Sequence, residues 1–500
     1  MLVYDKATLS VGSFVKRPMT RAAAAIVFVG SLLAISGEAQ QVASITWEPL
    51  TFEAPVVGQT TGERGWLVVP VRHGNPAGAK IRLPVVRLRT TNPDPGPPVV
   101  FIAGGPGNAG TRILMGSLAP NAARVRAFAD VIAFDQRGTG AAEPSLAVPG
   151  QFDLPSAISV DSPVARKRIA AIGSLIRSTT ESRGIDLSAY NTIESADDVE
   201  LLRRALGAEK VVLWGHSYGT HLALAAIKRH GEHIARALLG GVNGLDDRWR
   251  DPADSDAWLA RVGAAVDAAG PTGRNGSFVE RVRRVFAQLD KDPIRVPTAN
   301  GQVFIGKTEI QVLLALQSGD LGFVQNLPLL FDSLEKRTRL EPVATAVQQT
   351  IRQRSIGTAM TYSMHVASGV SAQRLARIKL QAPTALMGNA INWGIGDEAF
   401  VKALNIADLG EDFRRPFRSN VPVLIMSGTL DGRAVENDAK RVGAQFDRVS
   451  YVTIEGASHD FWFLRPPPRV PEVTEAFLRG EPVRDESIRW PVAFRWPSPE

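Results

Sequence analysis

The sequence predicts an α/β fold: a mainly parallel central sheet with flanking helices, interrupted by a large helical cap insertion. Three observations point to it. Short all-apolar runs recur, among them "PPVVFIAGG", "DVIAFDQRG", "VVLWGHS" and "NVPVLIMSG", each leading into a loop that carries glycine. A strand buried on both faces reads this way, because neither face needs polar residues. Helix-forming segments separate those runs. "SADDVELLRRALGAEK" has its acids early and its bases late, as the helix dipole favours. From about Leu245 to Arg415 the apolar runs stop and helical periodicity takes over.

The elements follow in order. Lys16, Arg17 and Arg21 precede the apolar run Ala22 to Ile35, which is too short to span a bilayer comfortably. It reads as a secretory leader, residues 1–39, with small residues at Gly37 and Ala39 for cleavage. Met19 offers an alternative start. The expected location is periplasmic or secreted, with no stable membrane span. Residues Ile45 to Val100 read as strands and turns, "GWLVVPVRHG" and "KIRLPVVRLRT" being the β-type runs. The core is assigned to 40–245 and 416–500. The cap, or lid, is assigned to 246–415, with helices in "DAWLARVGAAVDAA", "SFVERVRRVFAQLDK", "TEIQVLLALQ", "NLPLLFDSLEKR" and "AQRLARIKLQ". Its one short strand falls at Gln302 to Ile305.

Composition narrows the chemistry. The 500 residues contain no cysteine, which excludes disulfides, thiolate metal sites, cysteine nucleophiles and a lipoprotein anchor. The net charge of +7 is spread along the chain without a Lys/Arg block, so nucleic acid is not an expected partner. No metal-ligand pattern such as H-E-x-x-H occurs, and no cofactor or metal is expected. The oligomeric state is left open.

The chemistry starts at Gly215-His216-Ser217-Tyr218-Gly219. A serine on a sharp strand-to-helix turn is held with its hydroxyl exposed, and small flanking residues let strand and helix approach. A serine hydroxyl needs a base, and the base needs an orienting acid. Asp431 follows the strand "PVLIMSG", and His459 follows the strand "YVTIEG"; both sit where open α/β sheets place their sites. The oxyanion of an acyl intermediate needs N–H donors. Tyr218 supplies one backbone donor and Gly105, in the loop Gly104-Gly105-Pro106-Gly107, the other. Asp135 and Arg137 in "FDQRGTG" are expected to pair and brace their loop.

"AGGPG", "DQRGTG", "NTIESADDVELLRRALG", "GHSYGT", "GTLDGR" and "GASHD" together resemble the proline iminopeptidase and tripeptidyl aminopeptidase family of α/β-hydrolase serine peptidases. The resemblance covers Gly65 to Val242 and Val421 to Trp462. It implies the α/β-hydrolase fold, with Ser217 as nucleophile, Asp431 as acid, His459 as base and Gly105 as an oxyanion contributor. Ala103 stands where proline iminopeptidases usually carry His, and "DQRGTGAAEPS" lacks their usual Ser. Both departures weaken the case for strict proline specificity. The family also holds the substrate's α-amine with cap carboxylates, for which Glu309, Glu335, Glu341, Asp397 and Glu398 are candidates. The function expected is a secreted aminopeptidase acting on short peptides. The alternative is a carboxylesterase acting on small esters or lactones. A binding module on a dead hydrolase fold is disfavoured, since no triad member is lost.

Overall fold

The computed structural model describes residues 44–270, 276–299 and 301–497. The expected leader, 1–39, lies outside them. In chain order the strands are β1 (Glu48–Ala54), β2 (Gly58–Pro70), β3 (Lys80–Leu88), β4 (Val99–Ile102), β5 (Val131–Phe134), β6 (Ala147–Gln151), β7 (Val211–His216) and β8 (Ile234–Gly240). The insertion adds β9 (Ile294–Thr298), β10 (Gly301–Ile305) and β11 (Ser355–Thr358), and the chain continues through β12 (Val423–Gly428), β13 (Val449–Glu455) and β14 (Glu486–Arg489). Ten of these form one sheet, in the order β1-β2-β3-β5-β4-β7-β8-β12-β13-β14. From β5 to β14 every neighbouring pair is parallel; β1, β2 and β3 add an antiparallel edge. The mainly parallel sheet expected from the apolar runs is the sheet observed.

β7 shows why those runs form strands. All six residues are buried. Val211 and Leu213 join the apolar cluster on one face of the sheet, and Val212 and Trp214 join the cluster on the other. Trp214 meets Phe101 edge-on at 5.8 Å and Trp462 at 5.5 Å, so three strand or loop segments share one aromatic contact. The helix Thr192–Ala205 covers the sheet beside Tyr218–His230; Asn191 caps it by accepting from Glu194 N at 3.0 Å.

The topology places the site. From β4 the chain moves to β5 on one side, then returns to β7 on β4's other side. The C-terminal ends of β4 and β7 therefore border a switch point, where open α/β sheets form a crevice. The insertion leaves after β8 and returns at β12. It is mainly helical, but it also holds the β9–β10 hairpin and β11. Only β10 is foreshadowed by its sequence; β9, "IRVPT", carries Arg and Pro and shows no apolar run. β11 pairs with β6, outside the insertion, and Phe304 N donates to Ser156 O at 2.8 Å. Residues 42–500 cluster as one compact unit, so the assigned limits 246–415 mark a change of secondary structure rather than a gap in packing. Among the described residues no helix is long and apolar enough to cross a membrane.

The expected Asp135–Arg137 pair does not form. Asp135 accepts from Thr111 N, Thr111 Oγ1 and Ala141 N at 2.9 Å each. Arg137 points the other way, to Asp198, with Nε–Oδ2 at 2.8 Å and Nη2–Oδ1 at 2.7 Å. Both partners are fully buried. β5 ends at Phe134, so strand alternation does not govern these positions, and each side chain finds a partner on a different helix. The loop is braced by bonds to two distant residues, Thr111 and Asp198, instead of by one local pair.

Candidate active site

Ser217 follows β7 and precedes the helix Tyr218–His230. Its φ is 54° and its ψ −123°, a conformation that costs a non-glycine residue roughly 1–3 kcal/mol. The turn is possible because the strand and helix nearly touch. A Cβ on Gly219 would lie 2.0 Å from the Ile102 carbonyl oxygen, which is backbone and cannot swing away. Gly219→Ala is therefore expected to lower stability by about 1–3 kcal/mol. An unchanged thermal midpoint would contradict so close an approach. Ser217 N donates to Gly240 O at 2.9 Å, tying the elbow to the end of β8.

The base and acid arrive from β13 and β12. His459 Nδ1 donates to Asp431 Oδ2 at 2.7 Å. A carboxylate only accepts, so the Nδ1 proton leaves the Nε2 lone pair free to take a proton. Asp431 is fully buried and also accepts from Arg433 N at 2.7 Å and Ala434 N at 3.0 Å. Burial alone would raise its pKa, but His459 and the two backbone donors outweigh it and hold the carboxyl below the usual range. The ring lies over the end of β8: a Cβ on Gly241, whose φ is +61°, would stand 2.7 Å from His459 Cε1. His216 and His459 ring centroids are 5.0 Å apart. Nε2 of His459 is buried and makes no hydrogen bond, Ser217 Oγ included. Without substrate such bonds are often long, and they tighten in the complex.

The loop after β4 lies against the serine. A Cβ on Gly104 would fall 2.9 Å from Ser217 Cβ and 3.5 Å from its Oγ. Gly105 has φ +110°. Tyr218 is the first residue of its helix, and such N–H groups have no intrahelical acceptor. Both expected oxyanion donors thus belong to segments that meet at Ser217.

The roof of the site has no sequence motif. The helix Ala359–Ser368 crosses above the strand ends. Thr358 Oγ1 donates to Gly138 O at 2.8 Å, and Thr361 Oγ1 donates to Pro106 O at 2.7 Å, inside the glycine-rich loop. One turn later His365 Nδ1 meets Arg248 Nη2 at 3.2 Å. The turn Ser318-Gly319 presses on the other side: Gly432 N donates to Ser318 O, and His459 N and Ser458 Oγ both donate to Gly319 O. The insertion therefore touches the glycine-rich loop after β4 and the loops of Asp431 and His459.

Four of the five candidate amine-binding carboxylates are engaged elsewhere. Glu309 accepts from Val160 N at 2.7 Å and Gly306 N at 2.9 Å and pairs with buried Arg352. Glu335 pairs with Arg281 and Arg284, Glu398 with Lys379, and Asp397 caps its own helix. Glu341 stands exposed at the first turn of Glu341–Val347.

Two buried histidines, His221 and His365, resist protonation in the folded chain. His221 Nδ1 donates to Gly244 O at 2.9 Å, and its ring lies 5.5 Å from that of Tyr218. Burial, with Arg248 adding to it, pulls the His221 pKa down to about 3. His365 is likewise held well below its ordinary value by burial and by Arg248 and Arg250. Between about pH 3 and 6.5 the unfolded chain binds a proton that His221 refuses when folded, so this histidine makes stability fall as pH drops through that window, and His365 acts in the same direction. Raised carboxyls at Asp438 and Glu309 act in the opposite sense. The clean measurement is a difference: His221→Gln should remove about 1.4 kcal/mol per pH unit of acid destabilisation between pH 6 and 4. Equal slopes for the two proteins in urea titrations would show that His221 does not stay neutral.

Residues 97–278 match the family model for the alpha/beta hydrolase fold. The serine protease Hip1 of Mycobacterium tuberculosis is 27% identical over 234 residues, 44% of this chain and 44% of that protein. The tripeptidyl aminopeptidase of Streptomyces lividans is 31% identical over 189 residues, 36% of this chain and 35% of its own length. The chain thus aligns with less than half the length of these curated relatives. Among solved structures, a proline iminopeptidase of Mycobacterium smegmatis aligns at 15% identity over 83% of this chain and 97% of its own, with a TM-score of 0.36. The matched residues run from β4 through the elbow to the first helix of the insertion, and with the sheet order they show an α/β-hydrolase fold; the two curated relatives are named as a serine protease and a tripeptidyl aminopeptidase.

Proposed function

We propose that the protein is a serine peptidase that releases residues or short peptides from the N-terminus of small substrates through an acyl-enzyme on Ser217. One observation carries the reading: a serine in a strained elbow shares its sheet edge with a buried His459–Asp431 pair whose tautomer leaves Nε2 ready to accept a proton. In this reading His459 takes the Ser217 proton as Oγ attacks the acyl carbon, and the N–H groups of Tyr218 and Gly105 hold the oxyanion. His459 then returns the proton to the leaving amine, and water repeats the sequence to free the acyl group. The names of the two relatives support peptide substrates. Export, with removal of residues 1–39, belongs to the same reading, and the mass of the mature protein from its host tests it.

A carboxylesterase is the second reading. It is favoured by the engagement of all but one of the five candidate amine-binding acids in other contacts. Labelling by a fluorophosphonate probe tests the nucleophile. Free peptides, their N-acetylated forms and simple esters then separate the readings. At least a tenfold preference in kcat/KM for a free amine supports the aminopeptidase. Activity confined to esters supports the esterase.

A further inference from the structure

Two arginines beside the site have no carboxylate partner. Arg248 and Arg250 follow β8 and are only partly exposed. Arg248 Nη1 and Arg250 Nη2 both donate to one neutral oxygen, Asn243 Oδ1, at 3.2 and 3.0 Å. Arg248 Nη2 donates to His365 Nδ1, also neutral, since an arginine cannot accept. Arg248 Nε and Arg250 Nη1 are buried with no acceptor at all. Neither arginine forms an ion pair among the described residues.

The acids nearby are committed to other bases. Asp247 is bound by Arg374 and Arg441 and by Gly244 N. Asp251 is held by Arg377 and Arg374, and Asp438 by Arg441. The two guanidiniums therefore face each other's charge. Burial, then Arg250, lowers the Arg248 pKa to about 10, and burial lowers that of Arg250 against the opposing pull of the Asp438 and Asp431 carboxylates. Bringing two like charges together out of water is unfavourable unless an anion joins them.

The pair reaches Ser217 through shared neighbours. The Arg248 guanidinium carbon lies 5.5 Å from the ring centre of Tyr218, the residue after the serine. Asn243 N donates to Thr220 Oγ1 at 2.8 Å, and that hydroxyl donates to Ser217 O at 2.6 Å. The roof helix that touches Pro106 at Thr361 meets Arg248 at His365, four residues or about 6 Å further along. A third arginine, Arg433, has no ion pair among the described residues but donates through Nη2 to Leu316 O, and it flanks His459: a Cβ on Gly319 would fall 2.7 Å from Arg433 Cδ and 2.9 Å from His459 Cβ. Arg433 is exposed, and burial nevertheless lowers its pKa, as for a side chain in the wall of a cleft.

We propose that Arg248 and Arg250 bind a carboxylate of the substrate, so that the enzyme acts on acyl compounds carrying a free carboxylate close to the scissile bond. A guanidinium pair with unused N–H groups matches a carboxylate, which accepts through both oxygens. The carboxylate has two sources in peptides, the C-terminus of a short chain or an acidic side chain. The proposal rests on Ser217 being the nucleophile for its kinetic arm, but its binding arm does not.

The kinetic arm compares matched substrates on the unmodified protein: short peptides against their C-terminal amides, Glu against Gln beside the scissile bond, and the p-nitrophenyl hemiester of glutaric acid against p-nitrophenyl butyrate. At least one pair should favour the carboxylate by about tenfold or more in kcat/KM. The pair that does so identifies the source. Arg248→Gln and Arg250→Gln should each bring that ratio towards one. The binding arm adds glutarate, with glutaramide at matched ionic strength as control. Glutarate should raise the thermal midpoint of the unmodified protein, and less so that of Arg248→Gln. If no substrate turns over and the probe does not label, the hydrolase reading fails while the glutarate shift still decides the site. Equal rates for charged and neutral substrates, or no glutarate shift where there is no turnover, would overturn the proposal, and neither result depends on a variant that folds.

Discussion

Ser217→Ala is expected to lower kcat/KM by on the order of 10⁴ or more while the protein keeps its fold. The serine side chain is partly exposed at the sheet edge, so losing its oxygen opens no cavity in the core. Alanine at φ 54° is as strained as serine, so the elbow gains no relief that could rearrange it. The structural hydrogen bonds at this residue run through its backbone, Ser217 N to Gly240 O and Thr220 N to Ser217 O, and both survive the substitution. Activity and thermal midpoint should therefore separate: the first collapses, and the second moves by less than about 1 kcal/mol. Residual rate above solvent would come from oxyanion donors and substrate positioning alone. Near-normal turnover by the purified variant would remove Ser217 from the reaction and the acyl-enzyme with it.

The parts of the fold that were legible in sequence are those whose burial is symmetrical. β4, β5, β7 and β12 are covered on both faces, so each reads as an unbroken apolar run. β14, "ESIR", lies at the sheet edge with only Ile488 buried, and its pattern carries no strand signal. β11 and β6 pair across some two hundred residues, and neither "SIGT" nor "AVPGQ" suggests a strand alone. In these elements pairing with a distant partner decides the conformation, and local propensity does not.

The same division holds in the site. Ser217, Asp431 and His459 could be read because each stands in a loop just past an apolar strand, in a meaningful order. The structure adds their meeting: Asp431 and His459 bond directly, and both pack on the Ser318-Gly319 turn. Arg248, Arg250, Asn243 and His365 could not be read. The first three lie within eight residues of one another, but ordinary polar loops have the same composition. Their relation to His365 crosses 117 residues. What could have raised them is the run "DDRWRD", whose two arginines are flanked by acids that turn out to serve other bases. The misread Asp135–Arg137 pair is the converse case, where nearness in sequence suggested a bond and partners distant in sequence, Thr111 and Asp198, take both side chains instead.

Asp431→Asn should cost nearly as much activity as loss of the serine, on the order of 10⁴ in kcat, through a change of one proton's place. Asparagine matches aspartate in shape. Its carbonyl oxygen can take over the Oδ1 position and keep the Arg433 and Ala434 N–H bonds, which the backbone geometry of the turn enforces. Its NH₂ then faces His459 Nδ1, where Oδ2 stood at 2.7 Å. A donor at that point requires Nδ1 to accept, so the ring proton moves to Nε2, and the atom facing the serine can no longer take its proton. The imidazolium that forms during attack also loses its counter-charge. Stability should change far less, because the exchanged group is neutral and its main-chain bonds remain. The critical observation is a rate loss in fluorophosphonate labelling that parallels the loss in turnover, at an unchanged thermal midpoint. If labelling by Asp431→Asn stayed within tenfold of the unmodified protein, the His459 tautomer would not be set by Asp431, and the orienting acid would have to be sought elsewhere.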